Sequence, residues 1–318
     1  MHRLLAACLA LLALAAPARA QAPASYPDRP VRVVVPYTAG GATDTTARLF
    51  AEQFSRRFGQ PFVVENRAGG GTSIGAALVA RAAPDGHTLF ISNFASNVLN
   101  RWLQRRLDYD PAAFSHAGML SRSTMFLMVS PASPIRTLRD LIARAQEKPG
   151  GLSFATNGAG TPNHLLAELL RLRAGIPLVH VPYAGSAQSN LDLVAGRVDF
   201  MFDAITMVAN GQARAVAVAD TQRWPGLPDL PTLGEAGFPD VALNTFFGLA
   251  APAETPEPIL DRLQEAIVAA RTEPGLVARM AATGFIPFVA NRAETAAFIA
   301  RENDKWRQVV ADIGLSLE

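Results

Sequence analysis

One cysteine, Cys8, stands in 318 residues, and it lies inside an apolar leader. With that leader removed, no disulfide, thiolate nucleophile or cysteine-bound metal is left, so stability has to come from packing alone. An excess of charge is missing too. The chain carries 29 Lys+Arg against 27 Asp+Glu, and its first 20 residues hold two arginines and no acid, which leaves 27 of each sign. Such a balance gives no electrostatic basis for binding nucleic acid. Lysine is reduced to Lys148 and Lys305, and no Gly-Lys pair exists, which excludes a phosphate-binding P-loop. The metalloprotease pattern H-E-x-x-H and the redox or zinc pattern C-x-x-C are absent. The glycine run Gly69-Gly70-Gly71-Thr72-Ser73-Ile74-Gly75 misses the dinucleotide fingerprint by one place, and no cofactor is expected. Beyond the leader no stretch approaches the ~20 apolar residues of a membrane span.

The leader itself is the first positive signal. His2 and Arg3 form a basic start, Leu4 to Ala16 is apolar, and Ala18-Arg19-Ala20 is a small-x-small cleavage site. This is the grammar of an export signal, and it predicts a signal peptide over 1–20 and a mature protein in the periplasm.

The rest of the chain repeats a β-branched run, a glycine-rich or polar turn, and an amphipathic helix. Val31 to Pro36 leads through Thr38-Ala39-Gly40-Gly41 into a helix from about Thr43 to Phe58. Phe62 to Glu65 leads through Gly69 to Gly71 into a helix from Ser73. Leu152 to Ala155 leads through Asn157-Gly158-Ala159-Gly160-Thr161 into a helix whose first residue is Pro162. Further strands are expected at Thr88–Ser92, Met125–Ser130, Leu178–Val181, Val198–Phe202, Ala213–Ala219 and Phe246–Ala251, and the tail is helical. Strands alternating with helices predict an α/β fold with mostly parallel sheets flanked by helices. The two groups of strands predict two lobes. Residues 21–122 and 243–318 form the first and 123–242 the second, joined near Thr124 and Asn244.

Three glycine loops entering helices are the strongest functional signal. A helix start offers unpaired backbone N–H groups and a partial positive charge, and glycine lets a ligand approach closely. Such loops hold a carboxylate or phosphate without help from lysine or arginine. Asp44, in the first turn after Gly41, either complements the helix dipole or faces a ligand. Asp203, closing its strand, is either a turn residue or a group that repels a second carboxylate and prefers an ammonium, amide or hydroxyl. Tyr37, Phe94, Tyr183, Phe246 and Phe247 stand near the loops and could wall a cleft. Tyr183 is the preferred one of these, between a strand and the Gly185-Ser186 helix entry. His164 and Glu168, at i and i+4, do not by themselves make a metal site, and no nucleophile–base set is assigned.

In order along the chain come Tyr26-Pro27-Asp28-Arg29-Pro30, Val34-Val35-Pro36 with Gly40-Gly41 and Asp44, and Val63-Val64-Glu65-Asn66-Arg67. Pro84-Asp85-Gly86-His87, His180-Val181-Pro182-Tyr183, Leu227-Pro228-Asp229-Leu230-Pro231 and Glu235-Ala236-Gly237 follow. This series resembles the substrate-binding receptors of tripartite tricarboxylate transporters, the TctC or Bug family. The resemblance implies a two-lobe, type II periplasmic binding protein, a monomer that closes on a small carboxylate and hands it to membrane permease subunits. A receptor for a membrane signalling kinase is the alternative. Carried over motif by motif, the implied ligand site is Thr38, Ala39, Gly40, Gly41 and Asp44, with Asn157, Gly158, Thr161 and His164 opposite. Asn93, Tyr183 and Asp203 complete it.

Overall fold

The computed structural model describes residues 26–282, 284–288 and 290–314. The expected signal peptide therefore lies outside the described residues. No described helix is long and apolar enough to cross a membrane.

Two sheets organise the chain. The first has six strands, in the order β11 (Phe285–Pro287), β4 (Phe114–Thr124), β10 (Asn244–Pro252), β3 (Thr88–Asn93), β1 (Val31–Val35), β2 (Phe62–Asn66), and the second five, in the order β7 (Leu178–Pro182), β6 (Leu152–Thr156), β8 (Phe200–Asp203), β5 (Phe126–Val129), β9 (Arg214–Val218). In the first, β1 (Val31–Val35) pairs in parallel with β2 (Phe62–Asn66) and with β3 (Thr88–Asn93). Its other half is antiparallel: β10 (Asn244–Pro252) runs between β3 and β4 (Phe114–Thr124), and β11 (Phe285–Pro287) closes the edge on β4. In the second sheet β6 (Leu152–Thr156) is parallel to β7 (Leu178–Pro182) and β8 (Phe200–Asp203). There β5 (Phe126–Val129) is antiparallel to β8 and to β9 (Arg214–Val218).

The two-lobe α/β architecture is thus as the sequence predicts, with mixed rather than mostly parallel sheets. The antiparallel ladders arise where the chain passes from one sheet to the other and back. Thr124 ends β4 and pairs with Asn244, which begins β10. The Thr124 hydroxyl lies 3.0 Å from both the Asp220 carboxylate and the Asn244 side-chain oxygen. The two segments that cross between the sheets thus lie side by side.

The helix entries follow the glycine turns. Helix α1 (Ala42–Phe58) starts at Gly41 and stops at Gly59, which sits in the left-handed region at φ 70°, the usual helix terminator. Helix α2 (Ser73–Ala80) follows Gly69–Thr72, and α3 (Asn100–Leu103) follows a π-helical turn at Ala95–Leu99. In the second lobe come α4 (Leu138–Glu147), α5 (Pro162–Ala174), α6 (Ser186–Val194) and the short α7 (Thr206–Ala209). Helix α4 opens with a capping box between Thr137 and Asp140. The tail supplies α8 (Glu257–Arg271), α9 (Pro274–Ala282) and α10 (Arg292–Ile313). Helix α10 brings Trp306, 2 % exposed, edge-on to Phe94 at 5.5 Å. That contact belongs to one apolar core running from Val98 and Met119 beside the first sheet to Leu127, Phe154 and Leu166 beside the second.

Candidate ligand cleft

The β1–α1 loop and the β6–α5 loop leave different sheets and enter the same space. Between them is a cavity of about 40 Å³, lined by Tyr37, Thr43 and Asn93 from one lobe and Asn157, Thr161, Asn163, Ser186 and Asp203 from the other. Phe94, Phe246, Phe247 and Phe285 form its apolar wall. Among the described residues no lysine, arginine or histidine lines it, consistent with recognition by helix starts and amides. A wider concavity of about 1170 Å³ lies on the outer side of the second lobe, around Arg139, Arg214 and Leu227, and shares no residue with the cleft.

The lobes touch across the loops. A Cβ on Gly185 would overlap the Thr38 side chain, and one on Gly71 would overlap the Ala159 carbonyl. A Cβ on Gly41 would sit 3.7 Å from Ser186 Cβ. These are contacts of a closed cleft.

Of the residues the sequence nominated, Asn93, Asn157, Thr161 and Asp203 line the cavity. Thr38 and Gly41 meet the second lobe beside it, and Ala39 and Gly40 continue the same loop without lining the cavity. Asp44 belongs elsewhere. Its Oδ2 accepts the Gly40 N–H and Arg48 Nε, each at 3.0 Å, and its Oδ1 accepts Asn66 Nδ2 at 2.9 Å. Burial works against its charge, but Arg48, the Gly40 N–H and Asn66 outweigh it and hold the carboxyl below its usual range. Asp44 shapes the loop from behind. Asp44→Ala should therefore destabilise the fold by about 2–4 kcal/mol, read as a lower denaturation midpoint. An unchanged midpoint would show that the brace carries nothing.

Gly158 and His164 are also spent internally. The Gly158 N–H donates to the Thr156 hydroxyl at 3.3 Å, and the Gly160 N–H donates to His164 Nδ1 at 3.1 Å. His164 stacks on His180 with centroids 3.9 Å apart. Burial pushes the His164 imidazole down to about 4, and burial together with His164 does the same to His180. The expected backbone cradle in this loop is thus largely used by the loop itself. His180 is half-buried and lies 2.6 Å from the Thr156 hydroxyl.

Tyr183 faces away, donating to Asp192 at 2.6 Å and lining an outer seam with Gly69–Gly71. Tyr37 is the tyrosine of the cleft; burial, then the nearby Asp203, raises its pKa. Asn163 and Ser186 were not nominated, although each directly adjoins a residue or helix entry already singled out.

Gly71-Thr72-Ser73-Ile74-Gly75 has the spacing G-x-S-x-G of a hydrolase nucleophile turn. The Ser73 hydroxyl donates to Gln104 at 3.0 Å and accepts from Asn100 at 3.2 Å, with no histidine base in the arrangement. Glu168 pairs with Arg171 at 2.7 Å, and no group of three metal-ligating side chains occurs among the described residues.

Residues 46–315 match the tripartite tricarboxylate transporter family receptor. The chain belongs to that family. It is 33% identical to the protein BugT of Bordetella pertussis, across 100% of this chain and 99% of that one. Among solved structures it is similar to R. palustris Rpa4515 with adipate, at 32% identity and TM-score 0.87 over 92% of this chain and 99% of that one. It is also similar to MatC (Rpa3494) from Rhodopseudomonas palustris with bound malate, at 31% identity and TM-score 0.84 over 90% and 100%. Family members are solute receptors, and the adipate and malate in these two structures are both carboxylates.

Proposed function

We propose that this chain is an extracytoplasmic receptor that closes on a small carboxylate and presents it to the membrane permease subunits of a tripartite tricarboxylate-type transporter. One observation carries the reading: two loops that open helices in different lobes meet around a small cavity lined by amides, hydroxyls, aromatic rings and the Asp203 carboxylate, with no basic side chain among the described residues. Amide donors and helix starts hold a carboxylate by hydrogen bonds, and closure of the lobes removes it from water. Asn93, Asn157, Thr161 and Asp203 are the proposed ligand contacts, and Thr38 and Gly41 the closure contacts. The proposed lobes are 21–122 with 243–318, and 123–242. Export by a leader cleaved after Ala20 and a monomeric state complete the proposal.

A thermal-shift screen of mono- and dicarboxylates and amino acids tests it. A ligand at ~100 times its Kd should stabilise the protein by ~2.7 kcal/mol. No shift across the whole screen would overturn the receptor reading.

A further inference from the structure

Among the described residues, three buried polar atoms on side chains lining the cleft cavity have no hydrogen-bond partner: Asn93 Nδ2, Asn163 Nδ2 and Asp203 Oδ2. Their residues are 2 %, 1 % and 8 % exposed. The amide orientations are fixed by their neighbours. Asn93 Oδ1 accepts the Ser96 N–H at 3.0 Å, and Asn163 Oδ1 accepts the His164 N–H at 3.2 Å together with the Thr161 hydroxyl. An amide whose oxygen is held by a donor turns its nitrogen the other way. Asp203 Oδ1 accepts the Ala204 N–H at 2.8 Å. Burial raises the Asp203 pKa; the Ala204 N–H, the Ser186 hydroxyl and the Asn157 amide oppose that shift, yet neither of the two side chains closes a hydrogen bond to Oδ2. Two N–H donors from opposite lobes and one carboxylate acceptor are therefore left to a single small space. Buried groups of this kind are normally satisfied, and an unsatisfied set in a cavity marks what a ligand must supply.

Charge decides the complement. Among the described residues Asp203 is the one carboxylate that lines the cavity, and no cation lines it. A dicarboxylate would bring its second negative charge towards Asp203 in a site with little water and no offset. An ammonium supplies that offset and fills the vacant hydrogen-bonding position at Oδ2. The cavity is narrow, at about 40 Å³. The ligand is therefore small.

We propose that the ligand is a small amino acid, its ammonium paired with the Asp203 carboxylate and its carboxylate accepting the Asn93 and Asn163 amides. This assignment rests on the carboxylate-receptor reading and narrows it to zwitterions. Asp203 then sets specificity, because it penalises the plain acid of the same carbon skeleton.

Calorimetric titration with matched pairs tests this: propionate and alanine, succinate and aspartate, glutarate and glutamate. In the wild-type protein the ammonium-bearing member of at least one pair should bind ten-fold or more tighter than its partner. Asp203→Asn, which keeps shape and removes charge, should weaken that amino acid on the order of 30-fold or more and leave or improve the plain acid. The wild-type comparison stands even if the variant folds poorly. If a plain acid binds as well as or better than its amino counterpart in every pair that binds, the ammonium assignment falls while the carboxylate-receptor reading survives. If none of the six compounds binds, the amino-acid assignment falls, and the carboxylate-receptor reading rests on the wider thermal-shift screen.

Discussion

Gly185→Val should abolish tight ligand binding while leaving both lobes folded. Gly185 precedes α6 with φ 167° and ψ 174°, extended backbone that any residue adopts, so a side chain there does not strain its own lobe. Its obstruction comes from the other lobe: a Cβ would overlap the Thr38 side chain and lie 3.1 Å from the Thr38 backbone nitrogen. The β1–α1 loop that carries Thr38 is braced by Asp44 through Gly40, Arg48 and Asn66, so it cannot simply move aside. Overpacking a tight contact costs roughly 1–3 kcal/mol or more, and that cost falls on the closed state alone. If closure is thereby reduced to about one molecule in a hundred, apparent affinity drops about 100-fold.

Gly185→Ala should give a smaller loss of the same kind, and Thr38→Ala should partly rescue it by removing the atom in the way. Rescue would separate closure from a general folding defect, since neither change repairs the other within one lobe. Gly71 is a poorer probe, because its φ of 58° strains any replacement whether or not the lobes meet. Unchanged affinity in a folded Gly185→Val protein would mean that binding does not need this contact.

Helix-entry loops were legible because glycine and a following amphipathic run are local features. Thr38 to Gly41 and Asn157 to Thr161 were found that way, and both border the cleft. Asp44 was ambiguous for the same reason. A first-turn acid reads alike whether it faces a ligand or a loop, and only the fold brings Asn66 from β2 to claim its second oxygen. Strand direction was not legible. The β-branched grammar of β1 and β6 is shared by parallel and antiparallel strands, so the insertion of β10 between β3 and β4 had no local signature. Strand β4 escaped notice altogether, because Phe-Ser-His-Ala-Gly-Met-Leu-Ser-Arg-Ser-Thr lacks a β-branched run and its pairing with β10 is what makes it a strand. The aromatic wall was half legible. Phe94, Phe246 and Phe247 were suspected from their proximity to loops, whereas Phe285 arrives on a three-residue strand from the tail. The amide directions of Asn93 and Asn163 depend on N–H donors that no sequence pattern shows.

Acid should loosen the second-lobe loop through His164. The imidazole is neutral in the fold, since Nδ1 accepts the Gly160 N–H at 3.1 Å. Protonation turns that acceptor into a donor facing another donor. His180, stacked 3.9 Å away, cannot relieve the added charge, and Glu168, whose negative charge favours a protonated His180, is already paired with Arg171. The sign follows from the direction of the shift. His164 falls from 6.5 to about 4 in the folded protein, so between those values the unfolded chain binds the extra proton. Its contribution is complete above pH 6.5 and is lost as pH falls towards 4, at about 1.4 kcal/mol per pH unit and about 3 kcal/mol in all. His180 and His116 are lowered to about 4 as well, so the wild-type slope contains several protons. The informative quantity is therefore the difference between wild type and His164→Gln. Denaturation at pH 7, 6, 5 and 4 should show the variant's slope reduced by about one proton, with a carboxamide oxygen available to the Gly160 N–H at every pH. Parallel curves would assign the acid sensitivity to the other histidines, and the Asn157–Thr161 loop would then keep its shape independently of His164 protonation.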